Sequence, residues 1–439
     1  MKPTQTPNAK LQLGPSTRLR LLAAYLYTVV ATPFMLGHFA LDVLLCLPPW
    51  TRPTKEWNLN QAVRMRVVRL VLLYWSLLRW GDKLTLRPGR ERNRFEVMRP
   101  QPASSYKGTL SFSSSSSSAA DIAPQPIGTT WTPARPPAPS LVREGLVVAL
   151  HFHGGGFAIG NGRDADTGYL ARALLRHLGC SHVCTPQYRL SSTTAGGAGR
   201  FPAPLQDALT AYLWLVREKG IPARQIVVSG DSAGANIAVA LLRYLYEEQG
   251  QGRGGDGDGD GDGEEEMLPL PGAVALWSPW VDVAAALHLD MRQSPNYRTD
   301  YLNKEFGRWG AASVAGHGVV DPAGPYLSPL HHPFGPGRDR NSHQHNHHHH
   351  HHHHVSQQRL PPIFVHGGDR EVLWDDIKLF AERYGEAGWD VHLHASRHCP
   401  HDILLLGDRI GFGKEAEEAV RSARKFFEAT TELRLVAVG

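Results

Sequence analysis

Gln225-Ile-Val-Val-Ser-Gly-Asp-Ser-Ala-Gly-Ala-Asn-Ile-Ala-Val-Ala-Leu-Leu242 is the stretch on which the reading of this chain turns. The short apolar run 225–229 predicts a strand, and 235–242 predicts the start of a helix. Between them Gly230-Asp231-Ser232-Ala233-Gly234 has the Gly-x-Ser-x-Gly spacing of a sharp strand-to-helix turn. Such a turn is so tight that bulky neighbours would clash, so small residues must flank the serine. The bend then lifts the hydroxyl of Ser232 above the edge of the sheet. Gly-x-Ser-x-Gly by itself is common in loops; the flanking strand and helix give it meaning.

A second motif lies upstream. His153-Gly154-Gly155-Gly156-Phe157 ends another apolar strand, 146–152. Consecutive glycines let backbone N–H groups turn towards a developing negative charge with no side chain in the way. A nucleophilic serine also needs a base, and the base an orienting acid, supplied in the chain order Ser…Asp/Glu…His. After Ser232 a predicted strand at 362–366 runs into Gly367-Gly-Asp-Arg-Glu371, and another at 391–395 runs into Ser396-Arg-His-Cys-Pro-His-Asp402. Both segments follow strand C-terminal ends, where catalytic acids and histidines belong. Three histidines compete for the base: His394 inside the strand, and His398 and His401 in the loop. His401, beside Asp402 and just before the apolar helix start at Ile403, is the choice.

With these residues in hand, the chain resembles the hormone-sensitive-lipase-like group of α/β-hydrolases, which includes bacterial carboxylesterases, arylacetamide deacetylase and fungal sterol deacetylases. Gln187-Tyr-Arg-Leu190 is similar to the family's Asp-Tyr-Arg-Leu. Phe201-Pro-Ala-Pro-Leu-Gln-Asp-Ala208 with Tyr212-Leu-Trp-Leu215 resembles its Phe-Pro…Asp-Ala…Trp helix. Leu276-Trp-Ser-Pro-Trp-Val-Asp282 and Tyr326-Leu-Ser-Pro329 match its Ser-Pro segments. The likeness runs from about Gly128 to the C-terminus. It implies Ser232 as nucleophile, His401 as base, and the amides of Gly155, Gly156 and Ala233 as an oxyanion hole. The family acid usually lies in Asp-Pro-Leu-x-Asp. Here the matching run is Glu371-Val-Leu-Trp-Asp375, so Glu371 takes that place, with Asp369 as the alternative acid. Gln187 is a second departure, read as structural.

The resemblance further implies an α/β-hydrolase fold and hydrolysis of carboxylic esters through an acyl-enzyme, with no metal or organic cofactor. The expected substrate is a hydrophobic ester, such as a lipid or sterol acetate. Two alternatives accompany it. One is a non-catalytic ligand receptor on the same fold, against which the presence of His401 argues. The other is amide or peptide hydrolysis by the same triad.

Composition agrees with one sizeable catalytic domain plus additions. Alternating strand and helix patterns with near-continuous apolar strands suit a mostly parallel sheet covered on both faces. A net charge of +5 over 439 residues carries no nucleic-acid message, and no obligate protein partner is evident. Cys46, Cys180, Cys184 and Cys399 lack paired metal-site spacing, so Cys180 and Cys184 read as buried thiols.

The expected organisation is a basic arm over 1–20, a membrane anchor over 21–47, basic amphipathic or cap helices over 48–100, a Ser/Pro-rich connector over 101–139 and the catalytic domain over 140–439. No charged residue falls between Leu21 and Leu41, and roughly 20 apolar residues suffice to cross a bilayer as a helix. A signal peptide and a buried helix pair turning near Pro33 are the rivals. Membrane anchoring is the reading adopted, with the endoplasmic reticulum as expected compartment; lysines and arginines on both sides leave orientation open. In residues 62–80, Arg64, Arg66, Arg69 and Arg79 alternate with apolar residues, which suits either a helix among lipid headgroups or a cap over the pocket. The serine run 113–118, the Gly-Asp insert near 250–266 and a histidine tract within an insert near 331–358 read as solvated, non-catalytic additions.

Overall fold

The computed structural model describes residues 15–112, 122–137, 146–191, 198–251, 268–337 and 359–436. The serine run 113–118, the Gly-Asp repeat from 252 and the histidine tract 342–354 fall outside these residues.

An eight-stranded sheet organises the chain, in the order β1-β2-β4-β3-β5-β6-β7-β8. The strands are β1 (Phe95–Met98), β2 (Ile127–Thr132), β3 (Val148–Phe152), β4 (His182–Gln187), β5 (Ile226–Asp231), β6 (Ala273–Trp277), β7 (Ile363–Gly368) and β8 (Val391–Ser396). β1–β2 and β2–β4 pair antiparallel; all later pairs are parallel. β3, β5 and β6 are buried along their whole length, because helices cover both faces. Two apolar clusters divide the core accordingly: one holds Val148, Leu150, Val228 and Leu276, the other Val147, Ala149, Val227 and Ala275. Adjacent residues of one strand thus point to opposite layers, as the two-residue period demands.

The helices are α1 (Pro15–Leu45), α2 (Leu59–Leu78), α3 (Asp164–Ala173), α4 (Ala203–Leu213), α5 (Ala233–Gln251), α6 (Ala285–His288), α7 (Lys304–Val314), α8 (Trp374–Glu386), α9 (Ile403–Ile410) and α10 (Gly413–Thr430). α10 packs its Ala416, Ala419, Val420, Ala423 and Phe427 stripe onto the sheet, an i, i+3, i+4, i+7 pattern.

Two boundaries differ from the sequence reading. The sheet begins at Phe95, not after 140: β1 lies in the segment assigned to cap helices and β2 inside the Ser/Pro-rich connector. β2 is six residues long and entirely buried, and the polar composition around it hid so short a strand. Second, helix starts at Pro15, inside the expected basic arm, and continues through Pro33 to Leu45. Of the two readings left open for α2, the packing favours the cap, since the helix is fastened to the hydrolase body. Asn58 and Gln61 close a capping box at its start. Arg69 donates to the carbonyls of Tyr297 and Asp300 at 2.6 and 2.8 Å and lies over the Tyr297 ring. Arg64 donates to the Arg409 carbonyl at 3.1 Å. Of the four arginines, these two serve the protein interface rather than an array of phosphates.

Cys46, Cys180, Cys184 and Cys399 are free and buried. Burial pushes the Cys180 and Cys184 thiols up to about 12, so they pack as small apolar groups.

Candidate active site

Ser232 stands between the last residue of β5 and the first of α5, with φ +51°. That left-handed conformation is costly for a side-chain-bearing residue, and the surroundings hold it. Its N–H donates to the Trp277 carbonyl at 2.9 Å, and its own carbonyl accepts from Trp280 and Asn236. A Cβ on Gly230 would lie 2.3 Å from the Gly234 carbonyl oxygen, and one on Gly234 would lie 2.0 Å from that of Phe152. Only glycine fits either place.

The loops after β7 and β8 bring two further groups to this serine. His401 Nε2 lies 2.9 Å from Ser232 Oγ, and His401 Nδ1 lies 2.5 Å from Glu371 Oε2. All three residues are buried. Glu371 is itself held, accepting at Oε1 from the Gly368 amide at 2.7 Å and from the Ser278 hydroxyl at 3.0 Å. Burial lowers the His401 value, but the Glu371 hydrogen bond and charge, with Asp300 and Asp402 behind them, carry it up to about 9. Burial raises the Glu371 carboxyl, and His401 draws it back.

The other candidates go elsewhere. Asp369 accepts from the His398 amide at 2.6 Å and is partly exposed; the carboxylate meeting His401 is that of Glu371. A turn of the chain separates the two, since Asp369 immediately follows β7 and Glu371 folds back under it. The His398 carbonyl accepts from Trp57 Nε1 at 2.6 Å, which ties the histidine loop to the segment before α2. His394 stays in β8, its ring 6.0 Å from that of His366.

Beside Ser232 runs the glycine turn. Gly155 and Gly156 have φ +105° and +61°, and the Gly155 carbonyl accepts from Ala158 and Ile159. The amides of Gly155, Gly156 and Ala233 donate to nothing among the described residues, so three donors are left for a ligand near the serine. Gly154 is used differently: its amide donates to Asp231 Oδ2 at 2.7 Å. His153 donates from Nδ1 to the Gly154 carbonyl, stacks 4.4 Å from Tyr188, and is pushed down to about 4 by burial. It is a neutral strut of the turn.

Several participants escaped sequence reading. Trp277 Nε1 donates to Ser229 Oγ at 3.0 Å, leaving the Ser229 proton for His151 Nδ1 at 2.9 Å and the His151 Nε2 proton for Asp231 at 2.8 Å. Burial pushes His151 down to about 3, consistent with that neutral tautomer. Asp231 and Asp402 face each other in a buried site; burial pushes Asp402 well up, with Asp231 adding to the rise, and burial pushes Asp231 up to about 6. Ser278 accepts from the Asp402 amide at 3.0 Å while donating to Glu371. Its signal was available in Trp277-Ser-Pro279, at the C-terminal end of β6.

A cavity of about 260 Å³ opens over Ser232 and His401. Val68, Leu72 and Trp75 of α2, Phe306 of α7 and Leu405 of α9 line its apolar wall; Asp82, Asn161 and Asp166 line another.

Residues 149–405 match the family model described as the alpha/beta hydrolase fold. The chain belongs to the α/β-hydrolases. This α/β-hydrolase is 28% identical over 269 residues to an acetyl-hydrolase of Streptomyces hygroscopicus, a match covering 59% of the chain and 71% of that protein. It is 35% identical over 114 residues to an ethyl acetate hydrolase of Pseudomonas putida, covering 25% of the chain and 33% of the relative. Human arylacetamide deacetylase-like 2 is 30% identical over 106 residues, covering 23% and 25%. Among solved structures, an esterase of the bacterial hormone-sensitive lipase family aligns over 92% of this chain and 99% of its own, with TM-score 0.50 and 21% identity. A hyperthermophilic esterase of Pyrobaculum calidifontis aligns over 86% and 92%, with TM-score 0.51 and 18% identity. At such identities these structures speak for the fold alone.

Proposed function

We propose that this α/β-hydrolase is a serine carboxylesterase acting on hydrophobic esters. The observation that carries the reading is the buried relay Ser232 Oγ–His401 Nε2, His401 Nδ1–Glu371 at 2.9 and 2.5 Å. Ser232 Oγ attacks the ester carbonyl as His401 Nε2 takes its proton. Glu371 fixes the imidazole with Nε2 free to accept and stabilises the imidazolium that forms. The carbonyl oxygen becomes an oxyanion, for which the amides of Gly155, Gly156 and Ala233 are the donors at hand. His401 then protonates the leaving alcohol. Water, deprotonated by the same imidazole, attacks the acyl-enzyme; the imidazolium returns that proton to Ser232 as the carboxylic acid departs, to ionise in solvent.

The apolar wall of the cavity favours a hydrophobic acyl or alcohol group, and the names of the relatives point to short acyl groups such as acetate. A lipid or sterol acetate fits both. α1 contributes a span, Tyr25–Leu45, with mean hydropathy 1.6 and none of its window buried. It supports attachment to a membrane.

The test is hydrolysis of a p-nitrophenyl ester series from acetate upwards by the wild type and by Ser232→Ala. Loss of a nucleophilic serine costs about 10⁶-fold in kcat. Wild-type turnover that disappears in the variant upholds the reading. A folded wild type inert across the series transfers the site to the ligand-receptor alternative, and turnover surviving in the variant removes Ser232 as nucleophile.

A further inference from the structure

The catalytic cavity has an acidic side that the mechanism does not use. Asp82 enters from the segment after α2, and Asp166 from the first turn of α3; both line the cavity that holds Ser232. Each carboxylate has one amide donor: Gly160 N–H to Asp82 at 2.5 Å and Asn161 N–H to Asp166 at 3.1 Å. Neither has an ion pair among the described residues. Arg409, the cation on this side, spends a donor on the Ala165 carbonyl at 2.7 Å. His153 lines the same cavity, almost wholly buried, and its Nε2 has no hydrogen-bond partner. With Nδ1 donating to Gly154, that nitrogen is an acceptor. So three acceptors, two of them carboxylates, face one cavity with few donors of their own. Asp82 and Asp166 are half-buried, and His153 Nε2 is the fully buried acceptor of the three, costly to leave unpaired unless something supplies a proton.

We infer that Asp82 and Asp166 form a polar subsite which receives a hydrogen-bond donor, a hydroxyl or an ammonium, carried by the substrate apart from its ester group. The inference rests on the esterase reading and narrows it: the substrate is an amphipathic ester rather than a purely apolar one. Burial raises the Asp166 carboxyl and the charge of Asp82 raises it further, while the Asn161 amide and the Arg409 charge draw it part of the way back. A donor placed between them would relieve that cost at Asp166 and pair with Asp82 as well. The apolar wall of α2 and α9 takes the hydrocarbon part. The asymmetry of the cavity therefore sets the orientation of the substrate.

The experiment uses the full-length protein and straight-chain acetates from propyl to octyl, each as the plain alkyl, ω-hydroxyalkyl and ω-aminoalkyl ester. At the best-fitting length, the donor-bearing ester is expected to exceed its alkyl counterpart in kcat/KM by about tenfold. Asp82→Asn and Asp166→Asn should each shrink that ratio towards one. A ratio within each variant is insensitive to partial loss of folded enzyme. An advantage of amino over hydroxy identifies charge as the source; parity identifies hydrogen bonding. Preference for the plain ester at every length, or a ratio unmoved by both substitutions, overturns the subsite. Failure of the esterase reading is separable, because thermal stabilisation by the matching alkylamines and alkanediols, compared with alkanols, needs no turnover. If those ligands stabilise the wild type and not the Asp variants, the subsite stands without the chemistry.

Discussion

Ser232 is held at φ +51° by hydrogen bonds from both of its backbone groups, and His401 by a carboxylate that is itself bonded twice. The consequence of that tight pairing is a pH profile. A general base works only when neutral, and Glu371 helps raise His401 from 6.5 to about 9. The acid limb of kcat/KM for an uncharged ester should therefore lie above the value of free imidazole, displaced towards 9. Glu371→Gln should bring the limb down while lowering the rate; a limb at or below 6.5 in the wild type would refute the assignment. Stability moves the other way. A raised folded value means the His401 contribution is fully present below 6.5 and is lost as pH rises through about 9. Ser278 offers a second check at this scale. Ser278→Ala removes the donor to Glu371 and the acceptor for the Asp402 amide. An unpaired buried group costs about 1–3 kcal/mol. We expect kcat to fall roughly tenfold to a hundredfold, with KM little changed and the acid limb shifted. A change confined to KM would show that Ser278 does not position the acid.

Between elements, the junction to examine is the one that joins the cap to the loop bearing His401. The Trp57 indole donates to the His398 carbonyl, its ring packs 5.6 Å from Phe412, and Gln61 reaches the Gly411 carbonyl at 2.9 Å. Trp57→Phe keeps an aromatic ring and leaves that carbonyl unpaired, so unfolding free energy should drop by about 1–3 kcal/mol. Denaturant melts of the purified variant measure it; an unchanged midpoint would mean the cap is not anchored there. This junction lay beyond sequence reading, because the partners are more than 300 positions apart. What was readable follows the same logic in reverse. The turn at Ser232, the glycine turn at 155–156 and the strands β3, β5, β7 and β8 each rest on local pattern, an apolar run beside residues that only a tight turn demands. β1 and β2 did not stand out, being short edge-side strands in polar surroundings. The choice between a headgroup helix and a cap for α2 could not be made from spacing, since an arginine looks the same whether it meets a phosphate or a carbonyl. Glu371 was reachable through its place in a motif; Ser278, His151 and Asp402 act through hydrogen bonds that only the assembled sheet creates.

At the scale of the molecule, α1 stands out. Its side chains Tyr25, Val30, Phe34 and Leu44 are more than half exposed, yet a water-facing helix is normally polar on its outer side. Tyr25–Leu45 has 21 residues, and at 1.5 Å per residue this reaches about 31 Å, against a hydrocarbon core of about 30 Å. Tyr74 Oη of α2 meets Thr32 Oγ1 of α1 at 2.9 Å, so a bilayer around α1 would lie close to the helix that walls the catalytic cavity. If α1 is the anchor, its exposed apolar side chains face lipid, and a charge there must be costly. Arginine near the middle of a spanning helix costs about 2.5–3.5 kcal/mol. Val30→Arg with Phe34→Arg should thus move the protein out of the alkali-resistant membrane fraction, while hydrolysis of a water-soluble ester, which needs only the sheet and its loops, continues. Hydrolysis of a vesicle-borne ester should fall in parallel with membrane binding. Retention of the double variant in the alkali-washed membrane would sink the anchor. Loss of both hydrolyses at once would instead mean that α1 is needed to hold α2 over the cavity, making it a structural part of the cap.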